Sequence, residues 1–214
     1  MIAIVDYGMG NLRSAQKGFE KAGYEAVLTS EPGVIARADG VVLPGVGAFK
    51  DCIDGLRERD LVSPVLDAAL GGKPFLGICV GLQLLFDYSE EGEGAEGLGI
   101  FSGKVVRFPP AGDTGMKVPH MGWNQLSRSG GPGAPDLLAY TDGSPYCYFV
   151  HSYYAVPAEP EITRASCTYS VTFPAIVGRD NILATQFHPE KSQHDGIAIL
   201  RAFGAMVASA GQLA

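Results

Sequence analysis

The sequence predicts an α/β protein built on a largely parallel central sheet flanked by helices, with a β-rich second half. Three observations carry this. Short apolar runs alternate with helical stretches over the first 90 residues, extended runs dominate from there to residue 187, and an amphipathic helix closes the chain.

The apolar run 2–5 reads as a buried strand, followed by the turn Gly8-Met9-Gly10-Asn11 and a helix over 12–22 that Gly23 stops. Strands near 25–28, 40–43 and 74–79 alternate with further helical candidates, the pattern of β-α-β units. A helix over 80–87 follows, and the acidic, Gly-rich stretch 90–96 reads as a solvated loop. Beyond it, 105–108, 146–156, 162–168, 174–178 and 182–187 read as extended, with a Gly/Pro-rich connection at 130–133 and a hairpin turn at 179–181. The last helix spans 194–209, and no boundary or repeat divides residues 1–214 into two domains.

Composition narrows the function. With 46 % apolar and 18 % charged residues the chain has globular rather than disordered usage. A net charge of −7 and the absence of a Lys/Arg cluster argue against nucleic-acid binding. No apolar run approaches the roughly 20 residues that cross a bilayer, and the first residues lack a signal-type pattern, so a cytoplasmic, membrane-free protein is expected. The four cysteines, Cys52, Cys79, Cys147 and Cys167, form no CxxC pair and are expected to be reduced.

Gly77-Ile78-Cys79-Val80-Gly81 lies where an apolar strand gives way to a helical stretch, which makes G-x-C-x-G the cysteine form of a nucleophile elbow. Small flanking residues let a sharp turn pass, and the helix N-terminus favours a thiolate. His188-Pro189-Glu190 follows the apolar run 182–187. If that chain stays extended, residues two apart point to one side, so Glu190 is placed to orient His188 as base. Alone, H-x-E reads better as a strand-end histidine beside a solvated carboxylate; with the elbow, it reads as the rest of a triad. His120, His151 and His194 suit structural or surface roles. A zinc deaminase would need a P-C-x-x-C that is absent, so no catalytic metal is expected. Pro44-Gly45-Val46-Gly47 follows the third strand, where α/β sheets place their sites. The backbone N–H groups of Val46 and Gly47, with that of Val80, are candidates for an oxyanion hole. As a phosphate loop the segment fails, because it is neither G-x-G-x-x-G nor a P-loop.

These residues, together with the segments 6–12, 44–49, 119–124 (Pro-His-Met-Gly-Trp-Asn) and 148–153, resemble the class I, triad-type glutamine amidotransferases over nearly the whole chain. The resemblance implies one amidotransferase domain in which Cys79 attacks the side-chain amide of glutamine. His188 then passes the proton to departing ammonia, and water releases glutamate from the thioester. It implies that Gln83 and the backbone of Ser152 and Tyr153 hold the glutamine head group, that no cofactor is needed, and that ammonia passes to a (β/α)₈ barrel synthase subunit in a heterodimer. Trp123 is then an interface anchor, with Met9, Asn11 and Lys191 as rim contacts. Glycines on both sides of Val46 make a peptide flip inexpensive, so the lone chain is expected to hydrolyse glutamine slowly. A glutaminase serving another synthase, a cysteine peptidase or chaperone-like hydrolase on a similar sheet, and a non-catalytic binding subunit are the competing readings. The 119–124 segment discriminates against the first of them.

Overall fold

In a computed structural model of the chain, the structure describes residues 1–129 and 135–211, and the glycine-rich connection expected at 130–133 lies outside them. β1 (Ile2–Val5) is buried at every position. α1 (Leu12–Ala22) follows, burying Ala15, Gly18, Phe19 and Ala22, one face at helical spacing. It ends as expected at Gly23, whose φ of 96° is left-handed. There the N–H of Gly23 donates to Glu20 O and that of Tyr24 to Phe19 O, both at 3.0 Å, taking up carbonyls the helix end leaves open.

Next come β2 (Ala26–Thr29), α2 (Pro32–Arg37), β3 (Gly40–Gly45), α3 (Phe49–Glu58), α4 (Val62–Leu70), β4 (Phe75–Cys79) and α5 (Val80–Gln83). β3 and β4 are buried along their whole length, as strands covered on both faces by helices must be. The second half contains β5 (Phe86–Ser89), β6 (Ala95–Glu96), β7 (Phe101–Arg107), α6 (Ala111–Thr114), β8 (His120–Gln125), β9 (Ser127–Arg128), β10 (Tyr146–His151), β11 (Tyr153–Pro157), β12 (Thr163–Thr168), β13 (Thr172–Arg179), β14 (Ile182–Thr185) and α7 (Gln193–Ala210).

The main sheet has the order β2-β1-β3-β4-β14-β13-β12-β9. Its first five strands are parallel and the last three join antiparallel. A β10-β8 ribbon and a β11-β7-β5-β6 sheet complete the architecture. α1 and α7 pack together through Phe19 and Phe203, with ring centroids 5.9 Å apart. The predicted class, a parallel sheet with a β-rich second half, is the one found.

Four expectations are corrected. The helix expected over 80–87 stops at Gln83, because the backbone of the next residues pairs elsewhere. Leu84 O accepts from the N–H of Leu98 at 2.8 Å, and Leu85 O from those of Ile100 and Phe101 at 2.9 Å each. The extended run 146–156 breaks at Ser152, so that β10 pairs with β8 and β11 with β7. Residues around Trp123, outside the extended runs expected from the sequence, form β8, with Trp123 opposite Tyr148. The acidic stretch 90–96 is not wholly solvated: Ala95–Glu96 pairs with β5, and Glu91 Oε2 accepts the N–H of Phe49 at 2.7 Å, a carboxylate on the open first turn of α3.

Candidate active site

Three strand ends meet at one sheet edge. β3 pairs with β4 up to Gly45 opposite Cys79, and β14 pairs with β4 up to Thr185 opposite Ile78. The chain leaving β14 therefore brings Gln186, Phe187 and His188 alongside Cys79, although more than 100 residues separate them in sequence. This is the carboxyl edge at which open α/β sheets hold ligands.

The elbow's shape follows from its glycines. Cys79 has φ 57° and ψ −112°, a conformation a side chain rarely adopts. A Cβ on Gly81 would lie 1.9 Å from Leu43 O, one on Gly77 2.8 Å from Gly81 O, and one on Gly45 2.7 Å from Gly81 N. Backbone thus rests directly on backbone from β3 through β4 into α5, and only glycine fits at these crossings.

His188 and Glu190 are in contact, the side chain of each only 2 % exposed, with His188 Nδ1 2.8 Å from Glu190 Oε1. The route differs from the extended chain expected. His188 is extended, but Pro189–Lys191 is a 3-10 turn, and this turn carries the carboxylate back to the ring. Since the carboxylate accepts, Nδ1 carries the proton and Nε2 is left for Cys79. Backbone fixes the ring further: His188 N–H donates to Tyr148 O at 3.0 Å, and Ser192 Oγ donates to His188 O at 2.7 Å. Burial alone would lower the His188 pKa. Hydrogen bonds to Cys79 and Glu190, and their negative charges, outweigh it and the net shift is upward.

A raised folded-state pKa means that the stabilisation from charged His188 is fully present below its unfolded value, about 6.5, and is lost as pH rises through the folded value. Glu190→Gln is expected to flatten that loss. Urea midpoints from about pH 6 to pH 10 check it, and identical pH profiles for the variant and the parent would remove Glu190 as a source of the shift.

A cleft of about 630 Å³ opens over Cys79 and His188. It is lined by most of the residues expected there: Asn11, Val46, Gly47, Val80, Gln83, Ser152, Tyr153 and Lys191. Glu190 stands behind His188, facing a smaller void shared with Asn11, Gly45 and Val46. Trp123 and Met9 lie outside the cleft's lining. Trp123 is 46 % exposed on β8, and Met9 Cε would sit 3.2 Å from a Cβ on Gly47, where φ is +93°. Lys191 Nζ lies 5.9 Å from the ring centre of Tyr148, which faces Trp123 across the ribbon.

Several residues at the site escaped sequence reasoning, among them His151, expected to be structural or at the surface, which borders the cleft with Gly10, Pro119 and Val150. Gln186 Nε2 lies 3.9 Å from Cys79 Sγ, while Gln83 Nε2 donates to Gln186 Oε1 at 3.1 Å and to Tyr153 O at 3.0 Å. A polar Gln186 at the end of an otherwise apolar strand was the available signal. Glu91 also borders the cleft, and its acidic neighbourhood concealed it. All four cysteines are free and buried. Among the described residues no group of three or more His, Cys, Asp or Glu side chains is arranged to hold a metal ion, and no helix is long and apolar enough to cross a membrane.

The model of the family "Glutamine amidotransferase class-I" matches residues 3–206, and the chain belongs to this family. Among its relatives, the imidazole glycerol phosphate synthase subunit HisH of Geobacter sulfurreducens is 53 % identical over 208 residues, covering 96 % of this chain and 98 % of the relative. The subunit of the same name from Syntrophotalea carbinolica is 54 % identical over 210 residues, covering 96 % and 100 %. In fold, the chain is similar to the crystal structure of a glutamine amidotransferase, with a TM-score of 0.73 at 18 % identity over 97 % of this chain and 100 % of that one. The family expected from the elbow and the His-Pro-Glu segment is the family found.

Proposed function

We propose that this chain is the glutaminase subunit of an imidazole glycerol phosphate synthase, supplying ammonia for histidine biosynthesis. The observation that carries the chemistry is the convergence of Cys79, His188 and Glu190 at one sheet edge, with Glu190 Oε1 2.8 Å from His188 Nδ1. The full-length similarity to HisH subunits supports the biosynthetic assignment. We read residues 1–214 as one glutamine amidotransferase domain, in keeping with a family match from 3 to 206.

In this reading glutamine enters the cleft with its side-chain amide towards Cys79. His188 Nε2 holds the proton drawn from the Cys79 thiol, and the thiolate adds to the amide carbon. The resulting oxyanion is held by backbone N–H groups of Val46 or Gly47 and of Val80, which border the cleft together. His188 then gives its proton to the departing ammonia, leaving a γ-glutamyl thioester. Water activated by the same imidazole attacks the thioester and releases glutamate and the free thiol. Glu190 keeps the proton on Nδ1 throughout. Gln83, Ser152 and Tyr153 receive the α-amino and α-carboxylate groups, which require several directed hydrogen bonds.

Ammonia released into water would protonate and diffuse away, so the cleft requires a partner that covers it. A (β/α)₈ barrel synthase subunit is the partner in this reading. It would sit on the exposed face carrying Trp123, with Met9, Asn11 and Lys191 at the rim. Four free cysteines fit a reducing cytoplasm. The test is glutamate release from glutamine by the chain alone and with the barrel subunit loaded with its nucleotide substrate. Slow turnover alone and a rise of about tenfold or more on assembly are expected, since the glycine-flanked loop has a second peptide orientation within reach. Full activity of the isolated chain would remove the partner-dependent part of the reading.

A further inference from the structure

His120 and His151 are buried at 3 % and 6 % exposure, with His151 bordering the cleft beside Tyr153. Their hydrogen bonds assign every proton. Tyr153 O only accepts, so the His151 Nδ1 that lies 2.8 Å from it carries a hydrogen. The other nitrogen of a neutral His151, Nε2, is then an acceptor, and it faces His120 Nδ1 at 3.0 Å, which must donate. His120 Nε2 is left as the acceptor for Asn124 Nδ2 at 3.3 Å. The Asn124 amide is oriented in turn, because Nδ2 also donates to Thr168 O at 3.0 Å and Oδ1 accepts the N–H of Gln125 at 2.8 Å.

The surroundings suit this single file. His120 is sandwiched between the rings of Phe149 and Tyr169, with centroids at 4.8 and 4.1 Å and both planes within 26°. Burial pushes the imidazole of His120 down to about 4 and that of His151 down to about 3, so both are neutral at ordinary pH. A second proton on His151 would turn two N–H groups on each other.

The file ends on an oxygen with a second duty. Tyr153 O takes the N–H of His151 on one lone pair and Gln83 Nε2 on the other, and Gln83 continues through Gln186 to Cys79 Sγ. We propose that His120 and His151 are positioning residues: they pin the carbonyl of Tyr153 at the β10–β11 corner and, through it, hold Gln83 and the head-group cradle at Ser152 and Tyr153 in register with Cys79. An apolar pair could fill the same volume beside Phe108, Phe149 and Phe173 without desolvating four ring nitrogens. The proposal rests on the reading of Gln83, Ser152 and Tyr153 as the glutamine cradle.

The test compares three His151 variants in the complex with the synthase subunit. His151→Phe fills the ring volume but removes the donor to Tyr153 O, and is expected to raise KM for glutamine about tenfold with kcat within about twofold. His151→Asn places an amide N–H near the Nδ1 position and is expected to stay within about threefold of the parent KM, whereas His151→Gln reaches the Nε2 position and behaves as the phenylalanine variant does. If the phenylalanine variant does not fold, the Asn/Gln pair carries the comparison. Nitrogen-15 spectra of the unsubstituted protein are expected to show both rings as the neutral Nδ1–H tautomer. An Nε2–H tautomer, an unchanged KM in the variants lacking the donor, or a loss confined to kcat would overturn the proposal. Gln83→Ala separates the two levels. If it raises KM while the His151 variants do not, only the role of the histidines fails. If it leaves KM unchanged, the cradle reading fails and the proposal with it.

Discussion

Replacing Cys79 by alanine is expected to lower glutamine hydrolysis by at least about 10⁴-fold, with glutamine binding retained. The magnitude follows from the covalent route. Without Sγ no thioester forms, and water would have to attack an unactivated amide. What survives is orientation in the cleft and the oxyanion donors, whose contribution does not depend on the thiol. The fold should persist, because alanine keeps the side chain small at a position that is 3 % exposed and lies among backbone contacts set by Gly45, Gly77 and Gly81. Glutamate release checks the rate, and isothermal titration with glutamine checks binding. The assembled synthase supplied with an ammonium salt should still turn over, since only the source of ammonia is lost. Retention of more than a few per cent of the glutaminase rate would show that Cys79 is not the nucleophile.

The first half of the fold was legible because its strands are covered on both faces. A strand buried on both faces reads as a continuous apolar run, as Ile2–Val5 and Phe75–Cys79 do, and Gly23 marks a helix end by a left-handed φ that other residues resist. The triad was legible as residue types but not as a place. That β14 lies beside β4 is decided by long-range pairing from Ile182–Phe75 to Thr185–Ile78, which no local pattern encodes. β8 was missed for a similar reason. Pro119 and Gly122 are residue types that locally disfavour a strand, and the strand exists because β10 offers a partner along its whole length. The helix expected after Cys79 failed at Leu84 because carbonyls that a helix would have used internally are taken by Leu98, Ile100 and Phe101. Gln186 was legible in principle: it is the polar residue immediately before Phe187-His188, and its side chain is fully buried.

Gly81→Ala is expected to destabilise the protein by about 4 kcal/mol or more, enough to leave much of it unfolded, because a single methyl group would meet rigid backbone. The added Cβ would stand 1.9 Å from Leu43 O and 3.0 Å from Leu43 C. Neither atom belongs to a side chain that can rotate away. Relief requires β3 to separate from the start of α5, and β3 pairs with both β1 and β4 and is buried at all six positions. Gly23→Ala is the informative control. Gly23 has a φ of 96°, which side chains rarely adopt and which helical Gly81 does not share, but nothing lies within 4 Å of its missing Cβ, so only the dihedral penalty of about 1–2 kcal/mol applies. Guanidinium midpoints for the two variants separate steric approach from backbone strain. A Gly81→Ala protein no less stable than Gly23→Ala would mean that the elbow tolerates a wider gap to β3. The second glycine of G-x-C-x-G would then serve the approach of substrate rather than the packing of the fold. If the large loss is found, the same close contact that lets Cys79 stand above the sheet is also what ties the candidate oxyanion loop, one strand away, to the elbow.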